Sequence, residues 1–448
     1  SPRRISRGIA NKVIGLSLKG VGVYKERWRY YPGDNMASNL LGFVGYNGNI
    51  LMGQYGIERY YNDILSRNNS GVHINFFAEL FSNIASTILE SDTAQEGNIV
   101  LSIEPTVQDT LESNLKKLKK KWSSDVAGGI IMDPRDGKIY AMASLPNFNP
   151  NDFKDADPNT FSNPLVESVY EMGSIIKPLT MAAALDTGAV TAKTIYNDRG
   201  YVILNGSRIE NYDGRARGRI PMQQVLSQSL NVGAVFAMQQ TGRKKFADYM
   251  RSYGLGMETG VELPNEVHGL IDNLKSTRDV EYATASFGQG IAMTPMETIR
   301  ALAVLGNGGL LISPYLVQRI EYENGSSKKI YPDEGIRVIK KSTSEEITRM
   351  LVKVVDEALM GGTVALPRYS IAAKTGTAQM ADPINGGYYK DRYLHSFFGY
   401  FPAYNPRFII FLYNVYPKGV KYASHTLTQP FMNITKFLIN YYKLQPDR

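Results

Sequence analysis

Apolar residues in the stretch 106–121 recur at helical spacing, and the opposite face carries the run KKLKKKW. This predicts a helix with a solvated, lysine-rich side. The period then changes. In AGGIIMDPRDGKIYAMAS two apolar runs, 129–132 and 138–144, flank a turn at 133–137, which predicts a β-hairpin. Several helices follow. One opens at Thr294-Pro295-Met296-Glu297, with an N-cap threonine, a first-turn proline and a glutamate three residues on, and should run to about Leu305 before Asn307-Gly308-Gly309. Strand-like runs return at 370–378, 396–400 and 408–415, and an amphipathic helix over 429–442 closes the chain. The order predicts an α+β domain with an antiparallel sheet, its first and last strands separated by a helical insertion.

The front of the chain has a different texture. Residues 24–61 are rich in Tyr, Arg, Gly and Asn and read as short strands and turns, followed by a polar patch at 66–71. Residues 72–98 show no clear period. A boundary near Gly97 divides the 448 residues into a smaller, mostly β front domain, 1–97, and a second domain, 98–448. At ~150 residues per domain the length allows two or three.

Composition narrows the class. Apolar residues make up 43% and charged residues 21%, as in ordinary globular chains. No apolar stretch approaches the ~18 residues of a membrane span. The formal charge of +8 suits an anionic membrane surface, a wall polymer or nucleic acid, and selects none of them. There are no cysteines, which excludes a disulfide scaffold, a thiolate metal site and a thiol nucleophile, and fits a protein outside the cytoplasm. The four histidines, His73, His268, His395 and His425, are scattered without metal-ligand spacing and read as structural or surface residues. Neither a GxSxG elbow nor a phosphate-binding GxxxxGK[ST] loop is present.

One apolar, alanine-rich helix carries candidate chemistry: Ser174-Ile-Ile-Lys177-Pro-Leu-Thr-Met-Ala-Ala-Ala-Leu185. Pro178 requires the helix to begin at about Ser174, because only first-turn amides lack intrahelical partners. Ser174 then sits where free N–H groups favour developing negative charge, and Lys177 shares its face. Burial against such a helix depresses a lysine pKa, and a neutral amine can take the serine proton. SxxK occurs also at Ser113 and Ser326, but one precedes the solvated lysine run and the other lies in a turn. Two further motifs follow. Ser229-Leu-Asn231 precedes a helical run, whereas the other SxN, Ser66-Arg-Asn68, lies in the polar patch. Lys374-Thr375-Gly376-Thr377 occurs once, in a strand-like segment, and a glycine there marks close approach of a ligand or backbone.

These three motifs, in this order, resemble the SxxK, SxN and KTG set of the penicilloyl-serine transferases. The likeness extends further. EMGSIIKPLTMAAALDTG, SQSLNVGAVFAM, TASFGQGIAMTPMETIRALAVLGNGG and AAKTGTAQ are similar to class B penicillin-binding proteins, and the SFGQG form resembles the septal (division) subgroup. RYYPGDNMASNLLGFVG and GQYGIERYYNDIL resemble their non-catalytic pedestal, so the likeness covers about four-fifths of the chain. Two departures stand out: Met172, where many relatives have proline, and the stretch 73–94, which follows no family pattern.

The resemblance implies a penicilloyl-serine transferase fold behind a pedestal, and a D,D-transpeptidase that cross-links peptidoglycan stem peptides and is acylated by β-lactam antibiotics. Ser174 would be the nucleophile and Lys177 its base. Ser229 would relay a proton to the leaving amine, and Asn231 would orient Lys177 and the substrate amide. Lys374 would supply positive potential, with Thr375, Gly376 and Thr377 binding the terminal carboxylate and the N–H groups of Ser174 and Thr377 forming an oxyanion hole. No metal, organic cofactor or nucleic acid is implied. Strict alternation puts Lys374 and Thr375 on opposite faces of their strand, so both can serve only at an exposed edge.

An elongation-type transpeptidase is the nearest alternative. A β-lactamase would need a carboxylate for deacylation, and no ExxLN-type segment lies between Asn231 and Lys374. A β-lactam sensor would not need the pedestal, and a non-catalytic scaffold would not need all three motifs. The family also implies work outside the cytoplasmic membrane, with an N-terminal anchor missing from this chain. A SEDS-family glycan polymerase and other division proteins would be its partners.

Overall fold

A computed structural model describes residues 5–23, 28–48, 50–66 and 96–448. The patternless stretch 72–98 and the SxN at Ser66 lie almost wholly outside them. Contacts divide the chain into two units, Ser1–Pro32 and Gly33–Arg448. The first holds a helix, Arg7–Gly15, capped by the Ser6 side chain on the Ile9 N–H, with none of its residues buried.

The second unit is built on a five-stranded antiparallel sheet. Helix α1 (Pro105–Trp122) precedes the hairpin of β1 (Val126–Met132) and β2 (Ile139–Leu145). The helical insertion follows, including α2 (Lys177–Asp186), α3 (Asn231–Thr241) and α4 (Pro295–Ala303). The chain then returns to the sheet as β3 (Ala372–Ala381), β4 (Tyr388–Phe401) and β5 (Phe408–Val415), and ends in α5 (Ala423–Tyr441). The sheet order is β3-β4-β5-β1-β2, so the last strands pair with the first and β3 forms an edge. The expected α+β arrangement is borne out, helical insertion included.

Alternation along these strands separates two cores. On one face Ala127, Ile131, Phe397 and Leu412 pack against Leu111 and Leu115 of α1 and Phe431 and Leu438 of α5. On the other, Ile130, Phe398, Phe411 and Tyr413 meet Ile176 and Leu179 from the insertion. Strands buried on both faces read as continuous apolar runs, which is why the stretch 408–415 is legible as a strand.

Two local details differ from the pattern. Ser174 does not stand in the α-helix: Gly173–Ile176 forms a 3₁₀ turn, and α2 begins at Lys177 with Pro178 in its first turn. At α4, Thr294 caps the Glu297 N–H, and the Glu297 carboxylate is shared between the helix start and the Gly256 N–H of a neighbouring loop.

Residues 33–65 share the second unit with everything from Glu96 onward. They form a two-stranded hairpin, Val44–Asn47 with Ile50–Gly53, and three short helices. Leu40 and Ile57 are buried in the main apolar cluster, and Phe43 stacks on Phe153 at 4.0 Å. Polar ties reinforce this. The Ala37 N–H donates to buried Glu112 of α1 at 2.7 Å, and Asn39 donates to the carbonyls of Thr160 and Ser162. Gln108 also donates to Glu112 while clamping the backbone of Met142. Among the described residues no helix is long and apolar enough to cross a membrane.

Glu112→Ala leaves the buried Ala37 N–H without an acceptor, so it should cost about 1–3 kcal/mol in urea unfolding. Glu112→Gln, which keeps an acceptor, should recover most of that. Equal losses in the two variants would mean that the bond does not tie the front segment down.

Candidate active site

An open cleft of about 500 Å³ runs along the free edge of β3 and is lined by Ser174, Ser229, Asn231, Lys374, Thr375 and Thr377 among others. All three motifs therefore meet in one place. The edge position also removes the conflict of strand faces. Lys374 pairs with Phe398 and sides with the insertion, whereas Thr375 and Thr377 side with α5, and the cleft is open to both.

The loop before Ser174 is held through its own backbone, to the sheet on one side and to the Gly288 loop on the other. Its Met172 carbonyl accepts the Ser396 hydroxyl at 2.7 Å, and the Gly173 N–H donates to Gly288 at 3.0 Å. Gly376 lies beneath it, where a Cβ would stand 2.6 Å from the Met172 carbonyl oxygen. Gly173 takes φ +63°, and a Cβ there would stand 2.8 Å from the Thr377 carbonyl oxygen. Both positions require glycine for this approach. The tie uses the Met172 backbone, so a methionine in place of proline leaves it intact. Because Thr377 turns its carbonyl off the sheet edge towards Gly173, its N–H faces the same side. The Ser174 N–H, in the first turn, also lacks an intrahelical partner.

Lys177 is 1% exposed and Lys374 3%. The Lys177 Nζ lies 3.0 Å from Ser174 Oγ, 2.6 Å from the Ser229 carbonyl and 3.2 Å from Ser229 Oγ. Lys374 donates to Ser229 Oγ and to the Thr375 carbonyl, each at 3.0 Å. Ser229 has φ +56°, a left-handed backbone that costs roughly 1–2 kcal/mol. That turn aims its carbonyl and its hydroxyl at the same amine. Asn231 lines the cleft, but its amide donates to the Glu210 carbonyl at 2.9 Å, and among the described residues it makes no bond to Lys177. The Ser229 carbonyl does that orienting instead.

Burial, reinforced by the nearby Lys374, holds Lys177 well below the ordinary ammonium value. Burial alone brings Lys374 to about 7. In its neutral form Lys177 has its hydrogens divided among fixed partners. A neutral amine has two N–H groups and one lone pair. One N–H goes to the Ser229 carbonyl, which can only accept. With the Ser174 O–H on the lone pair, the other N–H and Lys374 fill both acceptor positions of Ser229 Oγ. The Ser229 proton is then left for the cleft.

Other residues gave no sequence signal. Glu171, its carboxyl pushed up by burial, accepts the Gly290 N–H and the Tyr388 hydroxyl, each at 3.0 Å. Tyr212 and Tyr422 enter the cleft from separate loops and meet edge to face at 6.0 Å. Isolated aromatics in loops have no spacing to read. Among the described residues no His, Asp or Glu cluster could hold a metal ion, and no carboxylate lines the cleft.

Residues 127–436 match the family described as penicillin binding protein transpeptidase domain. Stage V sporulation protein D of Bacillus subtilis is 30% identical over 96% of this chain and 66% of its own length. Penicillin-binding protein PbpB of Mycolicibacterium smegmatis is 28% identical over 91% and 63%. The chain thus spans just under two thirds of the length of these two relatives. Peptidoglycan D,D-transpeptidase FtsI of Escherichia coli is 27% identical over 99% of the chain and 72% of its own. The crystal structure of penicillin binding protein 3 from Mycobacterium tuberculosis, complexed with aztreonam, superposes with a TM-score of 0.81 at 25% identity, covering 94% of this chain and 92% of that one.

The depressed Lys374 has a consequence for stability. Between about 7 in the fold and ~10.4 unfolded, the unfolded chain binds a proton that the folded chain does not, so this group's contribution to stability rises with pH. Lys374→Met removes it. The stability of the native chain relative to that variant should rise with pH between about pH 7 and 9 in urea unfolding, the more so because Lys177 regains part of its basicity when Lys374 is gone. A difference independent of pH would put the lysine at its ordinary value.

Proposed function

The chain belongs to the penicillin-binding protein transpeptidase family, and we propose that it is a serine D,D-transpeptidase that cross-links peptidoglycan stem peptides. The observation that carries this is the unbroken line of contacts from Ser174 through Lys177 and Ser229 to Lys374 inside one cleft.

Ser174 Oγ attacks the carbonyl carbon between the two terminal D-alanines as its proton passes to the neutral Lys177 amine. The Ser174 and Thr377 N–H groups receive the oxyanion, a contribution typically worth about 3–4 kcal/mol. As the C–N bond breaks, the leaving amine takes the Ser229 proton, and the Lys177 ammonium refills Ser229. Lys374, with the hydroxyls of Thr375 and Thr377, holds the terminal carboxylate, and Gly376 lets the strand lie close to the nucleophile. Lys177 ends neutral. An amine from a neighbouring stem peptide then attacks the ester by the same route in reverse.

The make-up of the cleft favours transfer over hydrolysis. With no carboxylate among the described residues of the cleft to activate water, an acyl-enzyme waits for an amine, and a β-lactam that acylates Ser174 should stay bound. Aztreonam in the structure of the mycobacterial relative supports β-lactams as ligands here. The SFGQG form supports a role in septal wall synthesis. The substrate places the activity outside the cytoplasmic membrane. There an N-terminal anchor, a SEDS-family polymerase and other division proteins would complete the assembly that the family resemblance implies.

Labelled penicillin followed by proteolysis should locate the adduct on Ser174, with slow release and no label in Ser174→Ala. Label on Ser113 or Ser326, or rapid turnover, would overturn the assignment. Lys177→Arg keeps a charge but cannot act as a base, so acylation should fall by about 10²–10⁴-fold. Near-normal acylation there would mean that another group takes the proton.

A further inference from the structure

Cross-strand pairing sets Thr377 beside His395, and His395 beside Asn414, in a polar row on the face of the sheet covered by α5. His395 is fully buried. Its Nε2 lies 3.0 Å from the Lys421 carbonyl, and its Nδ1 2.8 Å from Thr426 Oγ1. A carbonyl can only accept, so Nε2 carries the hydrogen. Burial keeps the ring neutral, so Nδ1 accepts the Thr426 hydroxyl. One imidazole thus grips both ends of the segment 421–426, the entry to α5.

Between those two points the Ala423 N–H donates to Thr377 Oγ1 at 3.1 Å. That bond fills an acceptor position of the hydroxyl and leaves its own proton free for an anion in the cleft. Lys421, Tyr422 and Ala423 also form a wall of the cleft. Without the ring, Thr426 Oγ1 falls back on the Ala423 carbonyl at 3.2 Å, a bond within its own turn.

We propose that His395 is a positioning residue for the carboxylate end of the substrate. It pins the segment 421–426 so that the Ala423 N–H orients the Thr377 hydroxyl towards the bound anion. The inference rests on the transpeptidase reading above, in which Thr377 meets that carboxylate.

The test is the concentration dependence of acylation by a carboxylate-bearing penicillin, which separates half-saturation from the limiting rate. His395→Leu should raise the half-saturating concentration about tenfold, the scale of one lost hydrogen bond to a charged group, and leave the limiting rate within about twofold. His395→Gln can both donate and accept, and should recover most of the loss. Thr377→Val combined with His395→Leu should be no worse than Thr377→Val alone. Additive losses, or an equal fall in affinity and limiting rate, would overturn the proposal. If His395→Leu does not fold, Thr426→Val deletes one of the two grips and should raise half-saturation about threefold. An unchanged value there would sink the idea. Failure of the unaltered protein to label at Ser174 would count against the transpeptidase reading itself. Normal labelling with unaltered half-saturation in the variants would count only against His395.

Discussion

Two buried lysines share one serine hydroxyl, and the rest of the site is arranged around the fact that both cannot keep their protons. Lys177 and Lys374 reach Ser229 Oγ at 3.2 and 3.0 Å. Water is excluded from both amines, so each charge is costly, and Lys374 adds to the cost at Lys177. The fold resolves this unequally. Lys374 meets an open cleft, where a bound anion can hold its charge, while Lys177 faces the nucleophile with its charge suppressed by burial and by Lys374. A general base and an anion anchor thus come from the same residue type, separated only by environment.

That division depends on an edge strand. Were β3 interior, the outward amide and carbonyl of Thr377 would be spent on a ladder. At the edge, the Thr377 carbonyl sits against Gly173 and the amide opens to the cleft. Edges usually invite unwanted pairing. Here the nucleophile loop covers part of it, with the Ser396 hydroxyl on the Met172 carbonyl as the fastening.

The front segment bears on the same architecture from the far side. Residues 33–65 add Leu40 and Ile57 to the apolar cluster that also holds Ile176 and Leu179, next to the nucleophile. A chain cut at Gly97 would expose that surface and leave Glu112 without the Ala37 N–H. What looks in sequence like a separable support is, for residues 33–65, part of the body that carries the cleft.

By itself the sequence determined the periods and the motifs. Strand 408–415 and the capped start of α4 are local patterns, set by neighbours along the chain, and the three motifs survive as strings because each sits on one turn or one strand. Ser174 and Lys177 could be paired from their spacing together with the apolar helix that follows them. Only the tertiary structure decided that the Ser229 carbonyl, not Asn231, holds Lys177, since that depends on a left-handed φ that no residue type announces. It also decided that the edge of β3 opens to both faces. The roles of Ser396, Glu171 and His395 lie in contacts with partners 26 to 224 residues away. A pattern records what a residue does to its neighbours in the chain. Burial, and with it the unequal charge of two lysines, is a property of everything else that packs around them.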